Sequence, residues 1–484
     1  MKRHMHRLSI LITMAALSGC SNTSATGGPP RDKLYFPTGL AHVDVAGKEE
    51  GVLFVANANF DKRYGTGSIV AINLDSLGLP AVGASPAGVK EFPTLNIDPS
   101  ASVQIASFSG EMALQPVGPN SYRIIVPTRS EGMYVFRTMA SVSANGVPTL
   151  SCVGESSQNC FDTGASLSPR EFEQSDAGIP RAPSPYGVAI ANRSCTVDLD
   201  CCATDAGDPV CGRTCTAGQC VGLDNLPFAD VWVTHLTQAD SPLLSGLNLQ
   251  GFLVRLDSDT FSVNENNFLP IGQGGTNSVV VLDGWTYVTG RILLPAPNLL
   301  RAVNRDGVVL STALENTYRV SDARGSAVSS DGKRLYLIGR APDTLLILSI
   351  DKSGVLPNVN FMRAVGLPGG PNDVKVIARP GKGDLVAISC TNANSVALYD
   401  DEVGDLVSQV PGVGVQPYSI AVDLRGAGAR LFVSAFGDGR IGVIDLPDLN
   451  HPQDARLVAH LGAQQLCLTR GVSSPGCLAL QGAP

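Results

Sequence analysis

The sequence predicts an all-β protein: a seven-bladed β-propeller carrying a small disulfide-rich insertion. Three observations lead there. A strand motif recurs seven times along the chain. Its last three intervals are 48, 47 and 46 residues, close to the length of one four-stranded blade. The composition, with 52 Gly and 32 Pro in 484 residues, suits short strands joined by turns rather than long helices.

The clearest copy is Gln416–Leu446, QPYSIAVDLRGAGARLFVSAFGDGRIGVIDL. It reads as three strands, Tyr418–Asp423, Arg430–Ser434 and Arg440–Asp445, each apolar or alternating and set off by Gly-rich turns. Pro417 sits before the first, where its missing N–H removes no ladder bond. First strands of the seven copies start near Pro37, Glu111, Pro185, Thr276, Arg324, Pro371 and Pro417. Second strands follow at Val52–Ala56, Arg123–Val126, Asp230–Thr234, Trp285–Thr289, Leu335–Ile338, Leu385–Ser389 and Leu431–Ser434. Third strands follow at Ser68–Leu74, Gly132–Arg137, Gly251–Leu256, Leu299–Asn304, Thr344–Ile350, Ser395–Tyr399 and Ile441–Asp445. The first three intervals are longer, so blades one to three carry insertions. A blade has two apolar faces and cannot bury them alone. Stacking blade on blade in a closed ring hides both and protects the ends.

These motifs resemble the YVTN-type seven-bladed propellers, whose repeat has the form PxxIAVxPDGxxLYVxNxxxxxVxVID. Gln416–Leu446 matches nearly throughout, and Ser330–Tyr336 (SDGKRLY) matches the turn and second strand. The resemblance covers residues 34–463 and implies the fold. It implies no single activity, because propellers host many.

Residues 1–19 read as a signal peptide. Lys2, Arg3 and Arg7 precede Leu8–Ala16, an apolar run too short to span a bilayer as a helix. Leu17-Ser18-Gly19-Cys20 resembles the bacterial lipobox, which implies cleavage before Cys20 and diacylation of its thiol. By the same resemblance, Ser21 is compatible with the outer membrane. The expected location is the bacterial cell envelope, with the membrane contacted through the N-terminal lipid. Residues 20–33 form a small, polar, Gly/Pro-rich tether, and 464–484 a C-terminal tail. The net charge is −8, and cleavage would remove three positive charges. An acidic chain argues against nucleic acid as a partner.

Of the 12 Cys, Cys20 is assigned to the lipid. Cys195, Cys201, Cys202, Cys211, Cys215 and Cys220 crowd a stretch poor in core-forming residues. In an exported chain this reads as a knob stapled by three bridges, residues 193–221, inserted between the first and second strands of blade three. Six Cys allow fifteen pairings, and spacing does not choose among them. No CxxC pair and no nearby His supports zinc. Cys152 with Cys160, and Cys467 with Cys477, each bracket a short polar loop and are expected to bridge. Cys390 ends the apolar strand LVAISC and is expected to be a buried free thiol.

No nucleophile elbow, zinc-protease motif, phosphate loop or haem-attachment motif occurs. The four His beyond the signal segment, His42, His235, His451 and His460, lack metal spacing. Neither metal nor cofactor is expected. One constellation bears on binding. Aligning the copies after their second strands puts Ala58, Arg129, Leu236, Arg291, Arg340, Thr391 and Phe436 in one column. The loops leading into the first strands add Glu111, Tyr186, Asn277, Arg324, Asn372 and Tyr418 to the same face, and His235 lies one position off the column. Four Arg around one funnel suit a carboxylate or phosphate held bidentately. Three functions are open at this point. The first is a non-enzymatic envelope lipoprotein binding a protein, an anionic glycan or an acidic peptide. The second is a hydrolase resembling propeller lactonases, and the third a quinone- or metal-dependent oxidoreductase. Few convergent acids and His, and 6% aromatics, favour binding.

Overall fold

The computed structural model describes residues 28–464 apart from short segments at 63, 85–87, 131–134, 154–157, 163–165, 168–183, 203–211, 237–249, 263–266, 274, 291–298, 313, 315–317, 319 and 355. The expectations for the signal peptide, Cys20, Cys211, Arg291, Cys467 and Cys477 fall outside the described residues. Seven antiparallel sheets, each built on a four-strand meander, follow one another along the chain. Neighbouring first strands lie side by side around the axis, and that of blade seven lies against that of blade one. The protein is a seven-bladed β-propeller.

The apolar runs of the second and third strands follow from this arrangement. Alternate residues point to opposite sides of a sheet, and in a propeller both sides are buried. In blade five, Leu335 and Leu337 pack toward blade four with Tyr287 and Leu300. Their neighbours Tyr336 and Ile338 pack toward blade six with Val386 and Ile388. The core is therefore a set of layers between blades rather than one centre. Each fully buried Leu, Ile or Val contributes about 1.5–3 kcal/mol.

The three insertions have separate destinations. Blade one's, between its third strand Gly67–Asn73 and fourth strand Ser102–Ile105, reaches across the ring seam. Its segment Lys90–Phe92 pairs parallel with Arg456–Leu461 as a fifth, outermost strand of blade seven. In blade two, Pro148–Cys152 and Ser166–Leu167 pair with opposite ends of Val135–Val142, with the Cys152–Cys160 disulfide between them. Blade three's holds the knob, with disulfides Cys195–Cys215 and Cys201–Cys220. Cys202 is disulfide-bonded as well, and Cys390 is free and buried.

One backbone device repeats in every blade. The residue leading into each first strand is left-handed: Phe36, Phe108, Ser184, Gly275, Asp322, Gly370 and Gln416, with φ between 50° and 72°. Five are not glycine, a state that costs on the order of 1 kcal/mol each. In five blades the lead-in carbonyl accepts a backbone N–H from just past the second strand, from Ala58, Arg129, Leu236, Thr391 and Phe436. In these five blades the aligned column is thus one set of equivalent positions on one end of the ring.

Candidate functional site at the channel mouth

The lead-in turn and the column share this end of the ring, so side chains two positions past each lead-in residue converge on the axis. These are Thr38, Gly110, Tyr186, Asn277, Arg324, Asn372 and Tyr418. Close approach is enforced at Gly110 and Gly187. A Cβ on either would collide with a carbonyl oxygen of the next blade, that of Tyr186 or Asn277. Hydroxyls tie the blades together here. Thr234 accepts the Gly187 N–H at 2.8 Å and donates to the Asn277 carbonyl at 2.5 Å. Ser389 accepts the Asp373 N–H and donates to the Tyr418 carbonyl, both at 3.0 Å.

Tyr186 of blade three and Tyr418 of blade seven touch through their hydroxyls, joining opposite sides of the ring. Burial, with Tyr418 and Glu111 nearby, holds the Tyr186 phenol well above its usual range, so it stays neutral. Arg129 lies over the Tyr186 ring, 5.2 Å from its centroid, an attraction between cation and ring face. Arg340 donates to the Pro371 carbonyl at 2.9 Å and to Asn372 Oδ1 at 2.8 Å. Asn372 in turn donates to the Tyr418 carbonyl at 2.9 Å. Burial and the adjacent Arg324 push the Arg340 guanidinium down from its usual range. An arriving anion would favour the charged guanidinium and so oppose the shift.

The Arg of the mouth therefore differ in availability. Among the described residues, Arg129 and Arg340 face no carboxylate within ion-pair distance. Arg324 Nε stands 2.8 Å from Asp322 Oδ1 and is neutralised. Asn277 is buried and donates to the Arg324 carbonyl at 2.8 Å, so it braces the loop. His235 is fully buried in the second strand of blade three, in register with Phe252, and lines no surface.

Glu111 sits one position deeper than the alignment implied, level with Asp373 rather than with Tyr186. The sequence offset arises because blade two lacks a Pro at its first strand and starts Ser109-Gly110-Glu111. Burial pushes the Glu111 carboxyl up to about 8, opposed by Lys375 and reinforced by Asp373. Its surface is partly exposed, yet protein crowds it on all sides, as expected for a group in a narrow channel. Lys375 Nζ is 3.2 Å from Asp373 Oδ1. Sequence reasoning missed Lys375 and Asp373. A signal was present: at the Lys375 position the other six copies carry Ala41, Ala113, Ala189, Val280, Ala327 and Ala421. A lone Lys in a ring of small side chains marks the channel interior.

Beside Arg129 at the mouth, Phe36, Phe60, Phe108 and Phe436 form an aromatic cluster with centroids 5.0–6.0 Å apart. Phe436 stacks on Tyr418 at 5.6 Å. The opposite end of the ring carries a His42–Asp44–Asp423 group. There His42 Nε2 contacts the Glu50 carbonyl at 2.8 Å, and Asp423 is held by Arg425. Its donors serve the seam between blades seven and one.

Fold and site together define a β-propeller with a cation-lined channel mouth. No family model and no curated protein matches the chain. Among solved structures it is similar to the β-propeller domain of Cps50 (Swd1) from Myceliophteria thermophila, at 10% identity over 85% of this chain and 98% of that one, TM-score 0.46. It is also similar to Sqt1 of Saccharomyces cerevisiae, at 10% identity over 91% and 100%, TM-score 0.45. A further similar structure is hydrazine synthase of Kuenenia stuttgartiensis, at 11% identity over 86% and 97%, TM-score 0.48. These likenesses concern the fold alone.

Proposed function

We propose that this protein is an envelope lipoprotein built of YVTN-type repeats, anchored through Cys20, whose propeller is a non-enzymatic platform binding an anionic group at the channel mouth. The observation that carries the binding reading is Arg129 and Arg340 on one mouth with no carboxylate partner among the described residues, in an acidic chain. Two forked cations suit a carboxylate. Glu111 below them is largely protonated at neutral pH, so it leaves the local positive charge standing.

Arg129→Gln combined with Arg340→Gln should weaken binding of a simple carboxylate probe, acetate or benzoate, by about tenfold to a hundredfold, the worth of one charge-assisted contact. The melting temperature should change little. Wild-type binding should weaken with added salt. It should also weaken as pH rises through about 8, where Glu111 ionises beside Asp373 and Tyr186 and repels the ligand. Titration calorimetry reads the three effects on binding, and thermal melting reads the fourth. Unchanged affinity in the double variant would sink the site.

The anchor has its own test. Cells fed a labelled fatty acid should incorporate it into the wild-type chain and not into Cys20→Ser. An unlabelled wild type would remove the lipoprotein reading while leaving the mouth untouched.

A further inference from the structure

Resting on the reading that the mouth holds an anion, we propose that the ligand is an aryl carboxylate, its ring on the Phe60–Phe108 shelf and its carboxylate on Arg129. The two halves of such a ligand meet adjoining halves of the mouth. Arg129 follows the second strand of blade two, and its backbone N–H bonds the Phe108 carbonyl at 3.2 Å. The cation and the aromatic shelf are therefore fixed to each other through one peptide contact. Phe36 and Phe108 are both lead-in residues held left-handed, at φ 50° and 58°, where bulky side chains are rare. The fold places two strained Phe at this mouth where other blades use Ser, Gly, Asp or Gln.

The cluster is layered from inside outward. Phe36 is fully buried, Phe108 and Phe436 are partly covered, and Phe60 is 44% exposed. Ring planes tilt by 53–71° within the cluster, the edge-to-face arrangement that favours a further ring on the outermost member. Lys62 Nζ stands 5.4 Å from the Phe108 centroid. The shelf runs without a break into the polar half. Phe60 meets Phe436, Phe436 stacks on Tyr418, and Tyr418 touches Tyr186, over which Arg129 lies. An aliphatic surface would accept any apolar tail. A shelf of rings beside a planar guanidinium selects a flat ligand with a planar anionic end.

The test compares three probes by titration calorimetry on the full propeller: 2-naphthoate, its neutral analogue 2-naphthylmethanol, and acetate. Naphthoate should bind at least about tenfold more tightly than either of the others. Phe60→Ala should weaken naphthoate about threefold to tenfold, the worth of one aromatic contact, and leave acetate unchanged. Because Phe60 is already half in solvent, that variant should melt with the wild type. Acetate binding as tightly as naphthoate, or naphthoate indifferent to Phe60→Ala, overturns the aromatic half and leaves the anion reading standing. Naphthylmethanol matching naphthoate overturns the carboxylate half. Binding of no probe overturns both this proposal and the reading it rests on.

Discussion

Replacing Arg430 by methionine is expected to destabilise the protein by about 3–5 kcal/mol, the usual loss when one member of a buried ionic group is removed. Arg430 is fully buried in the second strand of blade seven. Its guanidinium forks onto Asp445 at 2.7 and 3.0 Å. It also reaches across the ring seam to Glu50 at 2.5 Å and to the Pro80 carbonyl at 2.5 Å, both in blade one. Glu50 is shared with Arg425 at 2.7 Å. Removing Arg430 strands Asp445, itself fully buried, and loosens the joint that closes the ring. Adding Asp445→Leu should recover part of the loss, because a matched apolar pair leaves no orphaned charge. Urea unfolding monitored by far-ultraviolet circular dichroism measures both variants. An Arg430→Met protein within about 1 kcal/mol of wild type would show that the seam is held elsewhere.

The second large effect concerns the disulfide knob. As a sequence it looks excisable, since closing a shorter loop costs little. The structure argues otherwise, because the knob is clamped to the propeller by buried Arg. Arg213 forks onto Asp259 at 2.8 Å through both contacts and reaches Asp257 at 2.8 Å. It also lies over Phe228, 4.0 Å from the centroid. Arg193 forks onto Asp230 at 2.9 and 2.8 Å and caps the Cys201 carbonyl at 3.1 Å. Just past the knob, Asp224 is gripped from blade two by Arg123 at 2.6 Å, which fixes where the knob's second leg leaves the propeller. The knob's legs thus serve as the lining of blades two and three. Arg213→Ala should cost about 3 kcal/mol, and deletion of residues 194–221 should yield insoluble material. A soluble deletion variant that melts with the wild type would restore the excisable view.

This clamp has a pH signature. Burial works against ionisation of Asp259, and the Arg213 fork with the Leu223 and Thr260 amides outweighs it, so the carboxyl is held below its usual range. A depressed carboxylate contributes stability that is complete above its unfolded value and is lost as pH falls through its folded one. Wild type and Arg213→Ala should therefore differ most at neutral pH and converge in acid, below the ordinary aspartate value of 3.8.

Much of the architecture is written locally. The alternation in LYLI and LVAISC, the Gly turns and the Pro before a first strand report strand and turn by contacts within a few residues. Seven copies of them count the blades, and even the bridge Cys152–Cys160 spans only 8 positions. The column after the second strands was readable for the same reason, since each member is tied to its own lead-in residue. What the chain could not announce are pairings between distant segments. Glu50 and Arg430 lie 380 positions apart, Tyr186 and Tyr418 lie 232 apart, and Lys90–Phe92 joins a blade at the other end of the chain. Nothing in a local period specifies such partners; ring closure does. Glu111 lies one residue deeper than the repeat pattern implies because blade two has Ser109 where four other copies carry the Pro that marks the start of the first strand, so only the left-handed Phe108 reveals the register. The sequence by itself determined how many blades there are and which end of each strand faces the mouth. The tertiary structure decided which Arg, among the described residues, stand without a carboxylate, because folding sets which charges are brought together.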